Sequence, residues 1–482
     1  MTLWNTAFIA VLYIYIFVVI IYLLLENRET STTFSWLLVF IFLPFAGVVL
    51  YFLFGRGLKK KTRNSLVRQD LVNRLASTHD QLIQQQKHES ERLQTRDSSS
   101  KHRKLNRLLY QNSDSVLTRF NSVQLFFNGK EKFDVLIDDL EKAENHIHME
   151  YFIWKYDRLT ERVVDVLRKK AATGVKIRIL YDTVGNHLPG RYLKRLRRFG
   201  IEIYPYYNFL SLLKLHTLNY RNHRKMIIID GITGYLGGMN MGEEYINGGR
   251  RFPAWRDTHI RIQGESTAVL QEIFAVSWTN TSEETLDMEA LAPAQYPALE
   301  NRHIQVTASG PDSQWESIKQ LYFLLISSAE QSIFIQTPYF IPDASIVMAL
   351  KTAALSGIDV RIMLSGWIDK HLPYWAAVTY LKPLLEAGVS FFYYTGGFMH
   401  AKTIVVDSQT CSIGTANMDI RSFALNYELN ALIYDETIAR TLAEMFIADL
   451  EASREFTLDH YDDIPRLTQL RNSLAKLFAP LL

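Results

Sequence analysis

One eighteen-residue pattern occurs twice in this chain, each time inside a larger repeat. From His223 to Asn240 the sequence reads HRKMIIIDGITGYLGGMN, and from His400 to Asn417 it reads HAKTIVVDSQTCSIGTAN. His223, Lys225, Asp230, Gly237 and Asn240 match His400, Lys402, Asp407, Gly414 and Asn417 at identical spacing. The surroundings repeat as well. AENHIHMEYFIWKYDRLTERVVDVLRKKAATGVKIRILY, from Ala143, corresponds to AEQSIFIQTPYFIPDASIVMALKTAALSGIDVRIML, from Ala329. Each reads as a short strand, an aromatic turn, a helix closed by glycine, and a β-branched strand, which is a βαβ unit with a right-handed crossover. The expected strands are His146–Phe152, Val175–Tyr181 and Ile201–Tyr204, matched by Ile333–Thr337, Val360–Leu364 and Val389–Tyr394. An internally duplicated α/β fold follows. The halves are expected at 121–290 and 301–482, joined near Glu289–Asn301.

The repeated residues suit phosphodiester chemistry. On a strand, positions i and i+2 share a face, so each histidine and its lysine point together. Each aspartate falls at the strand end, where it supports the turn and backbone amides rather than a substrate. Beyond each motif comes a carboxylate. Aligning Phe252 with Phe423 places Asp257 opposite Glu428. A carboxylate that accepts the Nδ1 proton of an imidazole fixes its tautomer and leaves Nε2 free to act.

The first 55 residues are of a different kind. Leu3–Leu25 and Phe34–Phe54 are uncharged for 23 and 21 residues, separated by ENRETSTT. At about 1.5 Å per residue each could cross a ~30 Å hydrocarbon core, so residues 1–57 are expected to form two transmembrane helices. The basic run GRGLKKKTRN follows the second span, and the positive-inside rule then puts the rest of the chain in the cytoplasm. The single cysteine, Cys411, excludes a disulfide framework and agrees with that side. A net charge of +3 does not point to nucleic acid. Residues 58–120 read as a polar, basic, partly helical connector, here taken as a solvated linker.

Together these features resemble the phospholipase D superfamily and, within it, the bacterial cardiolipin synthases. The likeness extends to the N-terminal hairpin, YRNHRK, FPAWRDTH, QTPYFIP, GGFMHAKT and the ending LFAPLL. One departure is Gly238, where the second copy has Thr415 and the family often has a hydroxyl. The resemblance implies a bacterial, multi-pass membrane enzyme with a cytoplasmic catalytic region. It moves a phosphatidyl group from one phosphatidylglycerol to another through a phosphohistidine, and glycerol leaves. It implies His223 as nucleophile and His400 as general acid/base, a choice that the symmetry of the repeat leaves open. Lys225, Lys402, Asn240 and Asn417 would bind the substrate phosphate, Asp257 and Glu428 would orient the histidines, and Asp230 and Asp407 complete the catalytic signature. No metal or other cofactor is called for. The expected partners are phosphatidylglycerol and the bilayer; an oligomer is possible but not required, and no nucleic acid is expected.

A phospholipase D that hydrolyses lipids to phosphatidic acid would carry the same residues. A nuclease would need a basic groove with stacking aromatics, and the basic clusters lie mostly outside the motifs. Two segments, Tyr206–Leu215 and Trp367–Leu381, could be rims dipping into headgroups or plain core. Leu467, Leu470, Leu474, Leu477 and Leu481 follow helical spacing, which favours core packing.

Overall fold

The computed structural model describes residues 3–25, 30–43, 47, 51, 100–186, 188–206, 219–293, 295–297 and 299–479. The N-terminal helices Leu3–Leu25 and Thr30–Phe42 belong to one compact unit, and the chain from Ser100, apart from Asn219 and Tyr220, belongs to another. In the first unit Ile16 and Val19 pack with Phe40 and Tyr51. Of the sequence-expected second span, Phe34–Phe54, the structure describes the helix Thr30–Phe42 and then only residues 43, 47 and 51; the rest of that span lies outside the described residues. The first helix has 23 residues, with side chains described for part of its length. Counted over the described residues alone, no helix is long and apolar enough to cross a membrane.

In the second unit the first repeat contributes β1 (Leu117–Phe126), β2 (His146–Tyr151), β3 (Lys176–Tyr181), β4 (Glu202–Pro205), β5 (Arg221–Asn222), β6 (Lys225–Ile229), β7 (Thr233–Gly237), β8 (Trp255–Arg256) and β9 (His259–Gly264). The second contributes β10 (Asn301–Ser309), β11 (Ser332–Gln336), β12 (Phe340–Ile341), β13 (Asp359–Ser365), β14 (Ser390–Tyr394), β15 (Phe398–Met399), β16 (Thr403–Val406), β17 (Thr410–Gly414), β18 (Met418–Asp419), β19 (Asn426–Tyr434) and β20 (Ser453–Phe456). One sheet runs through both repeats in the order β4-β3-β2-β6-β7-β9-β1-β10-β19-β17-β16-β11-β13-β14-β20. Apart from β20 at the outer edge, the two sides correspond strand for strand outward from the antiparallel junction of β1 with β10, where Leu117 faces Gln305. β2, β3 and β4 are parallel, as are β11, β13 and β14, and β6 and β16 run antiparallel to β2 and β11.

The crossover helices explain why these residues form these units. Arg158–Ala172 begins at a capping box between Asp157 and Thr160 and ends at Gly174, where φ is 97°. Leu159, Val163, Val164, Val166 and Leu167 recur on one face and are buried against the sheet. Each such side chain contributes about 1.5–3 kcal/mol of apolar burial. Ala344–Leu355 repeats the design, capped by Asp343 and closed at Gly357 with φ 88°.

Ser100–Ser113 is a helix of the packed body rather than solvated linker, a difference from the sequence expectation. Leu105 and Leu109 are fully buried among Ile318, Leu321 and Leu325 of the second repeat, and Lys101 pairs with Asp407 at 2.5 Å. Residues 58–99 of that connector lie outside the described residues, as do 207–215 of the first expected rim segment. The second expected rim is largely the helix His371–Leu385. Its Trp375 and Tyr380 lie under Arg471 and Lys476 of the helix Arg466–Lys476, with each charge about one van der Waals contact from the ring, at 4.4 and 4.5 Å. The C-terminal leucines contradict the core expectation: Leu467, Leu470, Leu474 and Leu477 are exposed, the first to 82%. Leu481 lies outside the described residues.

The two motif aspartates close β-turns and hold the sheet together. Asp230 and Gly231 have φ of 53° and 66°, and Asp407 and Ser408 have 55° and 52°, which gives the mirror-type turn that suits a twisted hairpin. The Asp230 carboxylate accepts the N–H groups of Glu144, Asn145 and His146 at 2.7, 2.8 and 2.8 Å. Asp407 does the same for Glu330, Gln331 and Ser332. Asp230→Ala should leave these amides without their acceptor and destabilise the chain by about 2–4 kcal/mol. Thermal melting of the full-length protein checks this; an unchanged midpoint would contradict it.

Candidate active site

Each motif histidine stands just outside the strand that carries its motif, at a crossing between the repeats. β5 pairs in parallel with β19, so that Asn222 lies opposite Tyr427 and the His223 N–H donates to the Tyr427 carbonyl at 2.9 Å. β8 pairs in parallel with β15, so that Arg256 lies opposite Met399 and the His400 N–H donates to the Arg256 carbonyl at 2.7 Å. These crossings bring each histidine to a carboxylate of the other repeat. His223 Nδ1 lies 2.9 Å from Glu428 Oε1, and His400 Nδ1 lies 2.8 Å from Asp257 Oδ2. Both carboxylates are fully buried, and each imidazole is about nine-tenths buried. The sequence pairs the residue types; the exchange between repeats is visible only in the fold.

The lysines lie inward of the histidines. Lys225 Nζ donates to the His223 carbonyl at 2.6 Å, and Lys402 Nζ donates to the His400 carbonyl at 2.6 Å. Burial pulls the two ammonium groups down to about 7 and about 8 respectively, and Asp257 and Glu428 oppose the fall in both cases. Each histidine feels the lysine of the other motif as well as its own, so the two sets of residues share one electrostatic site. Burial and Lys402 pull His400 down to about 4, with Asp257 opposing. His223 falls well below its ordinary range, first through burial and then through Lys225, Lys402, Lys370 and Arg421. Aromatic rings wall the imidazoles: Phe152 stands 4.9 Å from His223, and Trp255 stands 5.3 Å from His400.

The Gly238–Thr415 departure has a steric reason. Thr415 Oγ1 donates to Glu428 Oε2 at 2.5 Å, so the hydroxyl serves the carboxylate. A Cβ at Gly238 would overlap Asp257 Oδ1. The longer carboxylate is met by a hydroxyl, and the shorter one approaches bare backbone. Asp257 Oδ1 instead accepts the Thr258 N–H at 2.7 Å. Burial pushes the Glu428 carboxyl up to about 7, opposed by Lys225, Thr415 and Asn426.

Asn240 and Asn417 are buried and have protein partners. Asn240 Oδ1 accepts the Ile153 N–H at 3.0 Å and its Nδ2 donates to Tyr245 Oη. Asn417 Nδ2 donates to Asp419 Oδ2 at 3.1 Å. One hydrogen of each amide is used in this way, which leaves the second available for a substrate oxygen. Asp230 and Asp407 end strands that begin near the site, and Asp230 is about 17 Å along the chain from Lys225. Their contacts are with backbone. Sequence reading did not single out Asp182, whose carboxylate accepts the Asn222 N–H at 2.9 Å, or Arg224 and Arg256. Both arginines stand in the stretches that carry the resemblance, NHRK and FPAWRDTH.

A duplicated sheet with one site built from two His–Lys motifs defines the phospholipase D-like class. The family model described as "Cardiolipin synthase, PLD-like domain" matches residues 136–250 and 322–450, and one described as "Phospholipase_D-nuclease N-terminal" matches residues 11–56. The chain is 42% identical over 466 residues to the major cardiolipin synthase of Bacillus subtilis, covering 95% of each chain. It is 39% identical over 460 residues to the cardiolipin synthase of Listeria monocytogenes serotype 4b, again with 95% of both covered. The solved phosphatidylserine synthase of Haemophilus influenzae shares the fold, with a TM-score of 0.58 at 15% identity over 79% of this chain and all of that one. This chain belongs to the cardiolipin synthase family.

The crossed pairing has a direct spectroscopic consequence. An imidazole N–H held by a buried carboxylate gives a separate downfield proton resonance. Glu428→Gln should shift the His223 signal and spare that of His400, and Asp257→Asn should do the reverse. Proton NMR of histidine-labelled protein checks this, and the opposite pairing of effects would overturn the assignment.

Proposed function

We propose that this chain is a membrane-bound cardiolipin synthase that joins two phosphatidylglycerol molecules and releases glycerol. The observation that carries this reading is the single site in which two buried imidazoles are each oriented by a carboxylate from the opposite repeat, in a chain with 42% identity to a cardiolipin synthase. Family membership supports a phospholipid substrate. The long uncharged stretches at the N-terminus and the match at residues 11–56 support a two-helix anchor with the catalytic region on the cytoplasmic side.

In the proposed mechanism, neutral His223 attacks phosphorus through Nε2, and the bond to the glycerol oxygen breaks. His400 gives that oxygen a proton. The phosphatidyl group is then on His223. A hydroxyl of the second phosphatidylglycerol attacks it, His400 takes the hydroxyl proton, and His223 leaves. Lys225 and Lys402 stabilise the charge that builds on the non-bridging oxygens, with the remaining amide hydrogens of Asn240 and Asn417. Burial and the two motif lysines lower both imidazoles, so these roles follow the family resemblance rather than a difference in electrostatics between the two repeats.

Membranes containing this protein should convert phosphatidylglycerol to cardiolipin and glycerol in excess EDTA, and His223→Ala should remove essentially all turnover. Lipid mass spectrometry reads both. Phosphatidic acid as the sole product would favour hydrolysis, and a near-normal rate in the variant would remove the nucleophile. A second expectation concerns pH. The lysines are cationic below their lowered values and lose that charge as pH rises, so kcat/KM should fall through the interval from about 7 to about 8. A profile that stays level to pH 10 would contradict the lysine roles.

A further inference from the structure

Resting on the acid/base role of His400, we infer that Arg256, held by Asp449, is a positioning residue that clamps the His400–Asp257 pair from behind. The geometry is specific. The Arg256 carbonyl receives the His400 N–H at 2.7 Å. Its guanidinium Nη1 donates to the carbonyl of Asp257 at 2.8 Å and to Thr258 Oγ1 at 3.2 Å. One residue therefore fixes the backbone of both the imidazole and the carboxylate that orients it.

The guanidinium is itself fixed from the other repeat. Its Nε donates to Asp449 Oδ1 at 3.1 Å, and Nη2 lies 2.8 Å from Oδ2 as an ion-pair contact without hydrogen-bond alignment. Gln336 Nε2 donates to the same carboxylate at 2.7 Å, and the ring of Phe127 lies 5.1 Å from the guanidinium. Arg256 and Asp449 are both buried. A buried charged pair of this kind is costly to break, which makes it a rigid support.

On the other side the backbone place of Arg256 is taken by Tyr427, whose carbonyl accepts the His223 N–H at 2.9 Å. There an arginine at a different position, Arg224, reaches the Glu428 carbonyl through Nε at 3.4 Å and donates from Nη1 to Ser277 Oγ at 3.0 Å.

The test compares two donors on the full-length protein: phosphatidylglycerol, whose alkoxide needs a proton, and phosphatidyl-p-nitrophenol, whose leaving group departs without one. Arg256→Gln should slow glycerol release about 100-fold in kcat with little change in KM, and spare p-nitrophenol release. Its His400 N–H resonance should move while that of His223 stays. Asp449→Asn, which keeps the arginine, should give a weaker version of both effects and serves if the first variant does not fold. Equal slowing of both donors with an unmoved His400 resonance would overturn the clamp. His400→Ala separates the underlying reading: if it slows both donors equally, the acid/base role fails, and the resonance alone then judges the clamp.

Discussion

Two hydrogen bonds between imidazole and carboxylate govern this molecule, and both run between the repeats. His223 depends on Glu428 and His400 on Asp257, so neither repeat holds a complete catalytic pair. The rest of the architecture serves these crossings. The β1–β10 junction makes the two sheets continuous. The short parallel pairings of β5 with β19 and β8 with β15 carry each histidine to its partner. A one-residue slip at either pairing would separate ring from carboxylate.

Placing two lysines and two carboxylates away from water is expensive, and the structure meets that cost with mutual compensation. Lys225 and Lys402 each feel both Asp257 and Glu428, and each lysine also donates to a backbone carbonyl within its own motif. The result is a buried site whose lysines are held in place by the protein itself, an arrangement that suits the proposed phosphodiester chemistry. Burial has a second effect: it holds both imidazoles near neutrality.

Much of this was legible in the sequence because periodicity and repetition are local properties. The six expected core strands lie within two residues of those observed, since alternating or continuous β-branched runs bounded by glycine leave few choices. The supporting position of Asp230 and Asp407 could be read from their place at the strand ends. Matching Asp257 with Glu428 found the carboxylates, yet the alignment of two repeats cannot say which copy faces which. That depends on the strands that cross between them, two residues long and without a pattern of their own. The helix Ser100–Ser113 was hidden for a similar reason: Leu105 and Leu109 lie in a basic stretch, and only the second repeat reveals the surface that buries them. The C-terminal leucines misled in the opposite direction, because helical spacing defines a face without saying whether anything covers it.

The difference between the two carboxylates bears on symmetry. Exchanged partners around a near-symmetric junction are what two identical subunits would present to each other across a twofold axis, each completing its neighbour. In one polypeptide the two sides need not be the same. One places a short acid against bare backbone at Gly238, the other a longer acid met by the Thr415 hydroxyl, and each solution fits only its own side. The two hands of this junction are therefore not interchangeable.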